Sequence, residues 1–391
     1  MEYTFAERVR NLSGNAIREI FKVLSDKEMI SFAGGMPAAQ CLPAEKVKQY
    51  SGELLTENPV KMLQYGETEG YMPLRESFLR YVKNVGIEGY TVDNALIVSG
   101  GQQGIDLMFK TFCEKGDKIL VQNPTYLAVL HIARTYQLNP VGFDCGEDGV
   151  DVDDLEKKIK EHRPKLVYVV PNFSNPTGKT LRLETRKKIV EIAEKYDVVV
   201  IEDDPYGRIR YAGEHLPSIK SFDKDGHVVY ITSTSKTIAP ALRVGLTVAD
   251  ERIIRKMAIC KQAVDVQTVT LAQAVVERFI STGEIDRGIA RSLPIYKEKA
   301  EIMLAALDKY MPESFVHTVP EGGLFIWGEF TDGTSAKAKF REALDNKVAY
   351  VSGNDFFADG SGDNTMRLNF SNATPEQIET GVKRLSAIFT K

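Results

Sequence analysis

Cysteine and histidine are scarce in this sequence: four cysteines and five histidines in 391 residues. Cys41, Cys113, Cys145 and Cys260 are scattered, without the paired spacing of a zinc site or the density of a disulfide scaffold. The histidines are likewise unpaired, so no protein-bound metal is expected. Isolated thiols suit a reducing cytoplasm. There is no excess of basic charge: 50 Lys and Arg against 54 Asp and Glu leave a net charge of −4. Electrostatics therefore supplies no reason for a nucleic-acid or anionic-membrane partner. No apolar run approaches transmembrane length. The first residues, Met1-Glu-Tyr-Thr-Phe-Ala-Glu-Arg8, carry early acids and no apolar stretch, so no secretory leader is expected. Internal repeats and low-complexity tracts are absent too. What is present is ordinary composition, 43% hydrophobic and 27% charged, in a chain long enough for more than one lobe.

From about residue 95 to 250, short apolar runs alternate with helical patterns. Ala95–Val98, Lys118–Gln122, Leu166–Val170, Val198–Ile201 and Val228–Ile231 read as strands. Ile105, Met108, Phe109 and Phe112 mark one helical face, and Ile189, Ile192, Ala193 and Tyr196 another. Near-continuous apolar strands alternating with helices predict a largely parallel sheet covered on both faces. Beyond about residue 250 the pattern changes. Helical stretches run from Glu251 to about Ser281 and from about Glu284 to Tyr310. A mixed segment follows, with strands at Gly322–Trp327 and Met366–Phe370 and helices at Ser335–Asn346 and from Pro375 to about Phe389. This predicts an α+β second lobe.

Ligands of parallel sheets bind outside the strands' carboxyl ends, and that is where polar clusters fall. Ser233-Thr-Ser-Lys236-Thr-Ile-Ala-Pro-Ala-Leu-Arg243 follows one strand. A lysine amine forms a Schiff base with an aldehyde, and hydroxyls beside a guanidinium hold a phosphate dianion. Pyridoxal 5′-phosphate (PLP) carries both groups. Alone, the stretch reads equally as a polar surface loop. Gly100 and Gly101 follow another strand and open a helix, so Gly101 and Gln102 are candidate phosphate donors, or simply a tight turn. Tyr126, after the next strand, is an aromatic able to stack on a flat ring, or a core residue. Asn175, in Pro171-Asn-Phe-Ser-Asn-Pro-Thr-Gly178, can donate to a phenolate oxygen, or simply forms an Asn-Pro turn. Asp203 leaves the most apolar strand of the chain and needs a cationic partner, which a protonated pyridine nitrogen provides, or it belongs to a solvated acidic loop. It is preferred to Asp204 because it stands closest to the strand end. Tyr206 is placed to reach the ring oxygen. Arg367, on a predicted strand, suits a bidentate carboxylate grip, or is an exposed edge residue. Tyr65 lies outside this pattern.

Taken together, these residues closely resemble the class I and II aminotransferases of PLP fold type I, along nearly the whole chain. The resemblance rests on Tyr65-Gly66 with Gly70 and Pro73-Leu-Arg75, Gly101-Gln-Gln103, Asn123-Pro-Thr-Tyr126, Asn175-Pro-Thr-Gly178, Asp203 with Tyr206, the Lys236 motif and Arg367. The variants Ser-Gly-Gly-Gln-Gln, Glu-Asp-Asp-Pro-Tyr and Ser-Lys-Thr-Ile-Ala-Pro are most similar to the branch of 2-aminoadipate, kynurenine, aromatic and branched-chain aminotransferases. That branch also resembles the effector domain of MocR-type regulators, whose additional DNA-binding domain has no room in this chain.

The resemblance implies an α/β fold, with a mostly parallel seven-stranded sheet flanked by helices and a smaller α+β domain. Its implied limits are an N-terminal segment to residue 45, packing with the small domain, a large PLP-binding domain over 46–285, and a small domain over 286–391. It implies that Lys236 carries the Schiff base and then moves the proton. Asp203 would pair with the pyridine nitrogen, Asn175 and Tyr206 would hold the ring oxygen, and Tyr126 would stack on the ring. Gly101, Gln102, Ser233, Ser235 and Arg243 would bind the phosphate, with Tyr65 reaching the phosphate of the neighbouring subunit in a homodimer. Arg367 would grip the substrate α-carboxylate, and Gly35 would line the substrate side with its backbone.

The implied activity is transfer of an amino group between amino acids and 2-oxoacids, with 2-oxoglutarate or glutamate as one partner, by a ping-pong mechanism. A PLP-dependent β-lyase or related eliminase fits the same residues, as does a PLP-sensing binding protein without turnover. Asn15-Ala-Ile-Arg18-Glu-Ile-Phe-Lys-Val23 reads as a short amphipathic helix. In the resembled branch such a helix covers the substrate side chain, so Arg18 is a candidate partner for a distal carboxylate, or an ordinary surface ion pair.

Overall fold

The computed structural model describes residues 3–10 and 28–390. Its larger sheet is built from β1 (Ala95–Val98), β2 (Lys118–Asn123), β3 (Asn139–Asp144), β4 (Leu166–Val169), β5 (Val199–Asp203), β6 (Val228–Ser233) and β7 (Gly245–Val248). Their spatial order is β1-β7-β6-β5-β4-β2-β3. Only β7 runs against its neighbours; the other pairings are parallel. β1, β4 and β7 are buried along their whole length, which is why they read as unbroken apolar runs rather than alternating ones.

Two of these strands escape the sequence pattern. β3 is an edge strand with Pro140 in it and a single buried residue, Phe143, and an edge is where a strand tolerates proline. β7 is four residues long and merges with the polar motif before it.

The reversed direction of β7 has a consequence for the site. β6 and β7 pair directly, Ser233 opposite Gly245. The segment between them is thus a loop pinched at its neck, where the Thr234 N–H and hydroxyl both donate to the Val244 carbonyl at 3.0 Å. Lys236 and Arg243 are carried on this loop, at the same end of the sheet as the carboxyl ends of β4 and β5.

The stretch from Glu251 to Ser281 is not one helical run. It is α2 (Glu251–Asp265) and α3 (Thr270–Ser281), broken at Val266, whose φ of 61° lies in the left-handed region. Before them comes α1 (Gly101–Phe112), whose buried Ile105, Met108 and Phe109 face the sheet. After them comes α4 (Glu284–Tyr310), with Pro294 inside it. Ile285 and Ile289 of α4 pack into the core under β1 and β7. Tyr296, Met303 and Leu307 pack into a second core with Phe325, Phe330, Leu368 and Phe389. One helix therefore ties the two cores together, with its proline between them.

The second core is built on an antiparallel sheet of β8 (Phe315–His317), β9 (Phe325–Phe330), β10 (Val351–Ser352) and β11 (Thr365–Asn369), in the order β10-β11-β9-β8. Helix α5 (Pro375–Phe389) packs on it, with Phe389 stacked on Phe330 at 4.5 Å between centroids. Ile30–Ser31 pairs in parallel with Val348–Ala349. The chain that follows, Ala33 to Met36, then runs into the cleft beside Lys236. Among the described residues no helix is long and apolar enough to cross a membrane.

Candidate active site

A cavity of about 290 Å³ opens where the large sheet's carboxyl ends face β9 and β11. It brings together Gly35, Gly101, Gln102, Tyr126, Asn175, Asp203, Tyr206, Ser233, Ser235, Lys236, Arg243 and Arg367. These come from stretches hundreds of residues apart. Tyr65 is not among them: it is 79% exposed and lines a separate open hollow with Val60 and Gln267. Arg18 and the expected helix around it lie outside the described residues.

Each wall has its own electrostatic character. On β5, successive side chains point to opposite faces. Glu202 turns away and accepts the backbone N–H groups of Ile219 and Lys220 at 2.7 and 2.8 Å. Asp204 is also held elsewhere, accepting from Asn172 at 2.9 Å, from the Gly207 N–H at 3.0 Å and from the Tyr230 hydroxyl at 3.4 Å. All three acids are buried, so this is no solvated acidic loop. Asp203 alone faces the cavity. Its Oδ2 accepts from the Tyr168 hydroxyl at 2.6 Å, and no other hydrogen bond reaches its side chain among the described residues. Burial pushes its carboxyl up to about 7; the Tyr168 bond works against this and the neighbouring Asp204 adds to it.

Opposite stands Arg367, 4% exposed, between Trp327 and Val351 in the middle of the small sheet rather than at an edge. It donates to Asn175 Oδ1 at 2.8 Å and to the Ala33 carbonyl, and its guanidinium lies over the Phe325 ring at 4.4 Å. Its Nε is buried with no hydrogen-bond partner, and no carboxylate pairs with it among the described residues. Burial lowers its pKa to about 10. A buried cation in this state is a receptor for an incoming carboxylate.

Lys236 Nζ sits between these groups and donates to the Gly35 carbonyl at 2.7 Å. Burial, then the charges of Arg367 and Arg243, lower its pKa to about 8. Beyond it lies a cup of donors. Ser233 donates to Ser235 at 2.8 Å, Arg243 Nη1 reaches Ser235 Oγ at 3.4 Å, and Arg243 Nη2 donates to the Ser99 carbonyl at 3.0 Å. Gly100, with φ of 85°, makes this close approach possible: a Cβ there would lie 2.3 Å from Arg243 Nη2. Helix α1 begins at the next residue, so its N-terminal N–H groups face the cup. Tyr126 and Tyr206 complete the walls, both phenols raised by burial and held neutral, Tyr126 to about 12.

Sequence reasoning missed Tyr168, hidden in the apolar run of β4. The signal was available: a tyrosine hydroxyl inside a buried strand needs a polar partner. It also missed Met36, Pro205 and Phe325, which give the cavity its apolar side.

The pocket thus offers a depressed lysine amine, an anion cup and, among the described residues, a buried carboxylate without a cation and a buried arginine without an anion. These are the complements of an aldehyde, a ring cation, a carboxylate and a phosphate, so the residues present fit PLP. The family model for aminotransferase class I and II matches residues 28–385. The chain belongs to that family and is a PLP-dependent aminotransferase. It is 37% identical to the aromatic-amino-acid aminotransferase 1 of Thermococcus litoralis, over 98% of this chain and 94% of that protein. The structure of a Pyrococcus horikoshii kynurenine aminotransferase in complex with PMP superposes with a TM-score of 0.95 at 38% identity, covering 99% and 96% of the two chains. An α-aminoadipate aminotransferase from Thermus thermophilus, solved with N-(5′-phosphopyridoxyl)-L-leucine, gives 0.92 at 34% identity, covering 99% and 97%.

Proposed function

We propose that this aminotransferase works by a ping-pong mechanism, with 2-oxoglutarate and glutamate as one couple and an aromatic, aliphatic or 2-aminoadipate-type amino acid as the other. The observation that carries this is that one cavity holds Lys236 together with a buried Arg367 that has no carboxylate partner among the described residues. When bound, PLP supplies an aldehyde for the amino group and a ring that takes up the electron pair left at the substrate Cα. Gly101, Gln102, Ser233, Ser235 and Arg243 would hold its phosphate, Asp203 its ring nitrogen, Asn175 and Tyr206 its ring oxygen, and Tyr126 its face. Arg367 orients the substrate by its α-carboxylate, and the Gly35 backbone borders the substrate side. Lys236 Nζ takes the Cα proton and passes it on, a task suited to an amine titrating near neutrality.

Among the described residues the cations of the cavity wall, Lys236, Arg243 and Arg367, are all occupied by these roles. A distal carboxylate needs another, and Arg18 is our candidate, while Met36 and Phe325 suit apolar side chains. The test is a panel of amino donors, with oxoacid and ammonia both measured, on wild type and Arg18→Gln. We expect oxoacid without free ammonia. Efficiency with dicarboxylic donors should drop by about 2–5 kcal/mol in the variant, and aromatic donors should change less in the half-reaction. Stoichiometric ammonia would make the protein an eliminase; equal losses for both donor classes would remove Arg18 from the scheme.

We also propose a homodimer with shared sites. Val60, Leu63, Tyr65 and Val269 are 75%, 74%, 79% and 67% exposed, an apolar surface of the kind that interfaces cover. The Tyr65 segment is braced from below, since the Gly66 N–H donates to Gln267 Oε1. Mixing inactive Tyr65→Ala and Lys236→Ala proteins should restore activity, because a mixed dimer contains one site with both residues intact. A fully active monomer in sedimentation would overturn this.

A further inference from the structure

We infer that the ion pair of buried Lys261 with half-buried Asp265 is a positioning element for the anion cup, setting how well the site distinguishes phosphorylated from unphosphorylated pyridoxal. The inference rests on the reading that this cup receives the cofactor phosphate.

Lys261 is a lysine with a fully buried side chain near the end of α2. Its Nζ donates to Asp265 Oδ1, one helical turn on, at 2.6 Å. A buried ammonium demands such a partner, and an ion pair with no further duty would end there. This one continues. Asp265 Oδ2 accepts from Gln103 Nε2 at 2.7 Å and from the Ser99 hydroxyl at 3.0 Å, and that hydroxyl also lies 3.1 Å from Thr268 Oγ1. Gln103 Oε1 in turn accepts the Ser99 N–H at 2.7 Å.

Ser99 therefore has all of its polar groups engaged. Its N–H goes to Gln103, its hydroxyl to Asp265, and its carbonyl receives Arg243 Nη2 at 3.0 Å. Ser99 and Gln103 bracket Gly100, Gly101 and Gln102, the turn that faces the cavity. Neither Lys261 nor Asp265 lines the cavity. They act on it only by fixing both ends of the turn and, through Ser99, the guanidinium of Arg243.

A second observation points the same way. Val266, directly after Asp265, has φ 61° and ψ −52°. A β-branched residue takes that conformation only where its surroundings over-determine it. The surroundings here are the carboxylate network on one side and Thr268, whose carbonyl accepts from Gln273 at 2.7 Å, on the other.

The experiment measures equilibrium binding of PLP and of pyridoxal to cofactor-free protein, for wild type, Asp265→Asn and Ser99→Ala. Both ligands carry the same ring and aldehyde carbon; free pyridoxal also closes to an internal hemiacetal, equally in every assay, so the change from wild type to variant reports on the phosphate. Wild type should bind PLP far more tightly. In Asp265→Asn the PLP dissociation constant should rise about tenfold, the scale of one charge-assisted hydrogen bond. The pyridoxal constant should change less than about twofold, because the ring contacts are untouched. Ser99→Ala removes one hydroxyl from the network and should shift PLP binding the same way by a smaller factor, which keeps the test available if Asp265→Asn folds poorly. General damage would weaken both ligands alike. Parallel losses, or none, in variants of a discriminating wild type would overturn the inference. A wild type that binds the two ligands equally would instead refute the phosphate reading of the cup itself, and the inference with it.

Discussion

Asp203→Asn is expected to retain PLP and to slow turnover about a thousandfold. The side chain is nearly isosteric, and its oxygen can still accept from Tyr168, so the local packing is kept. Lys236 and the cup of Ser233, Ser235 and Arg243 are untouched, so the cofactor should still bind. What disappears is the negative charge beside a ring cation. At about 4 Å and an effective dielectric of about 20, that interaction is worth about 4 kcal/mol, or about three orders of magnitude in rate. Single-turnover rates of the amino-acid half-reaction, with cofactor content measured in parallel, provide the check. A rate near wild type would remove Asp203 from the mechanism.

The cofactor-free protein supplies an independent reading of the same residue. The folded-state pKa of Asp203 is raised from 3.8 to about 7, chiefly by burial. A carboxyl raised in this way favours folding below its unfolded pKa, and that contribution is lost as pH rises through about 7. Cofactor-free Asp203→Asn should therefore be more stable than wild type above about pH 7, with the difference shrinking as pH falls towards 4. Denaturation at the two ends of that range would show it.

Lys236→Ala should abolish covalent capture of PLP and reduce transamination by about four orders of magnitude, the upper range for loss of a positioned acid–base group. Borohydride treatment of the wild type should attach the cofactor to the peptide containing Lys236, and labelling of another lysine would refute the assignment. The pH dependence follows from the environment of Nζ. Burial, Arg367 and Arg243 depress its pKa to about 8, and the neutral amine is the nucleophile. The rate of PLP capture should rise with pH and level off above about 8. A rise continuing towards 10.5 would show an ordinary, solvated lysine.

Much of the site was legible because its parts are local. A β-branched run such as Val228–Ile231 announces a strand, and Lys236 follows it closely enough to be placed at the carboxyl end. The same logic led to Asp203 and to the Gly100–Gly101 turn. Residues whose meaning depends on distant neighbours were harder. Arg367 could be an edge residue until Trp327 and Val351 were found on either side of it. Tyr168 looked like core until its hydroxyl was found on Asp203. The break at Val266 was invisible because valine gives no turn signal; it follows directly on Asp265 and its bonds to Ser99, Gln103 and Lys261. β3 was missed because Pro140 argues against a strand everywhere except at an edge, and whether a strand is an edge is a property of the whole sheet.

The sequence by itself determined the chemistry available to this protein: which side chains stand at strand ends, that the large sheet is mainly parallel, and that the chain carries the lysine, acid and arginines of a PLP enzyme. Those follow from periodicity and side-chain type, which act within a few residues. Only the tertiary structure decided that Glu202 and Asp204 are buried in hydrogen bonds of their own, that the Lys236 loop is closed by β6–β7 pairing, and that Arg367 is buried without a counter-ion among the described residues. It also decided that Ala33 to Met36 returns to border Lys236. Each of these depends on pairing or desolvation between segments far apart in the chain. Burial of a charge is set by everything that surrounds it, and no local stretch of sequence contains that information.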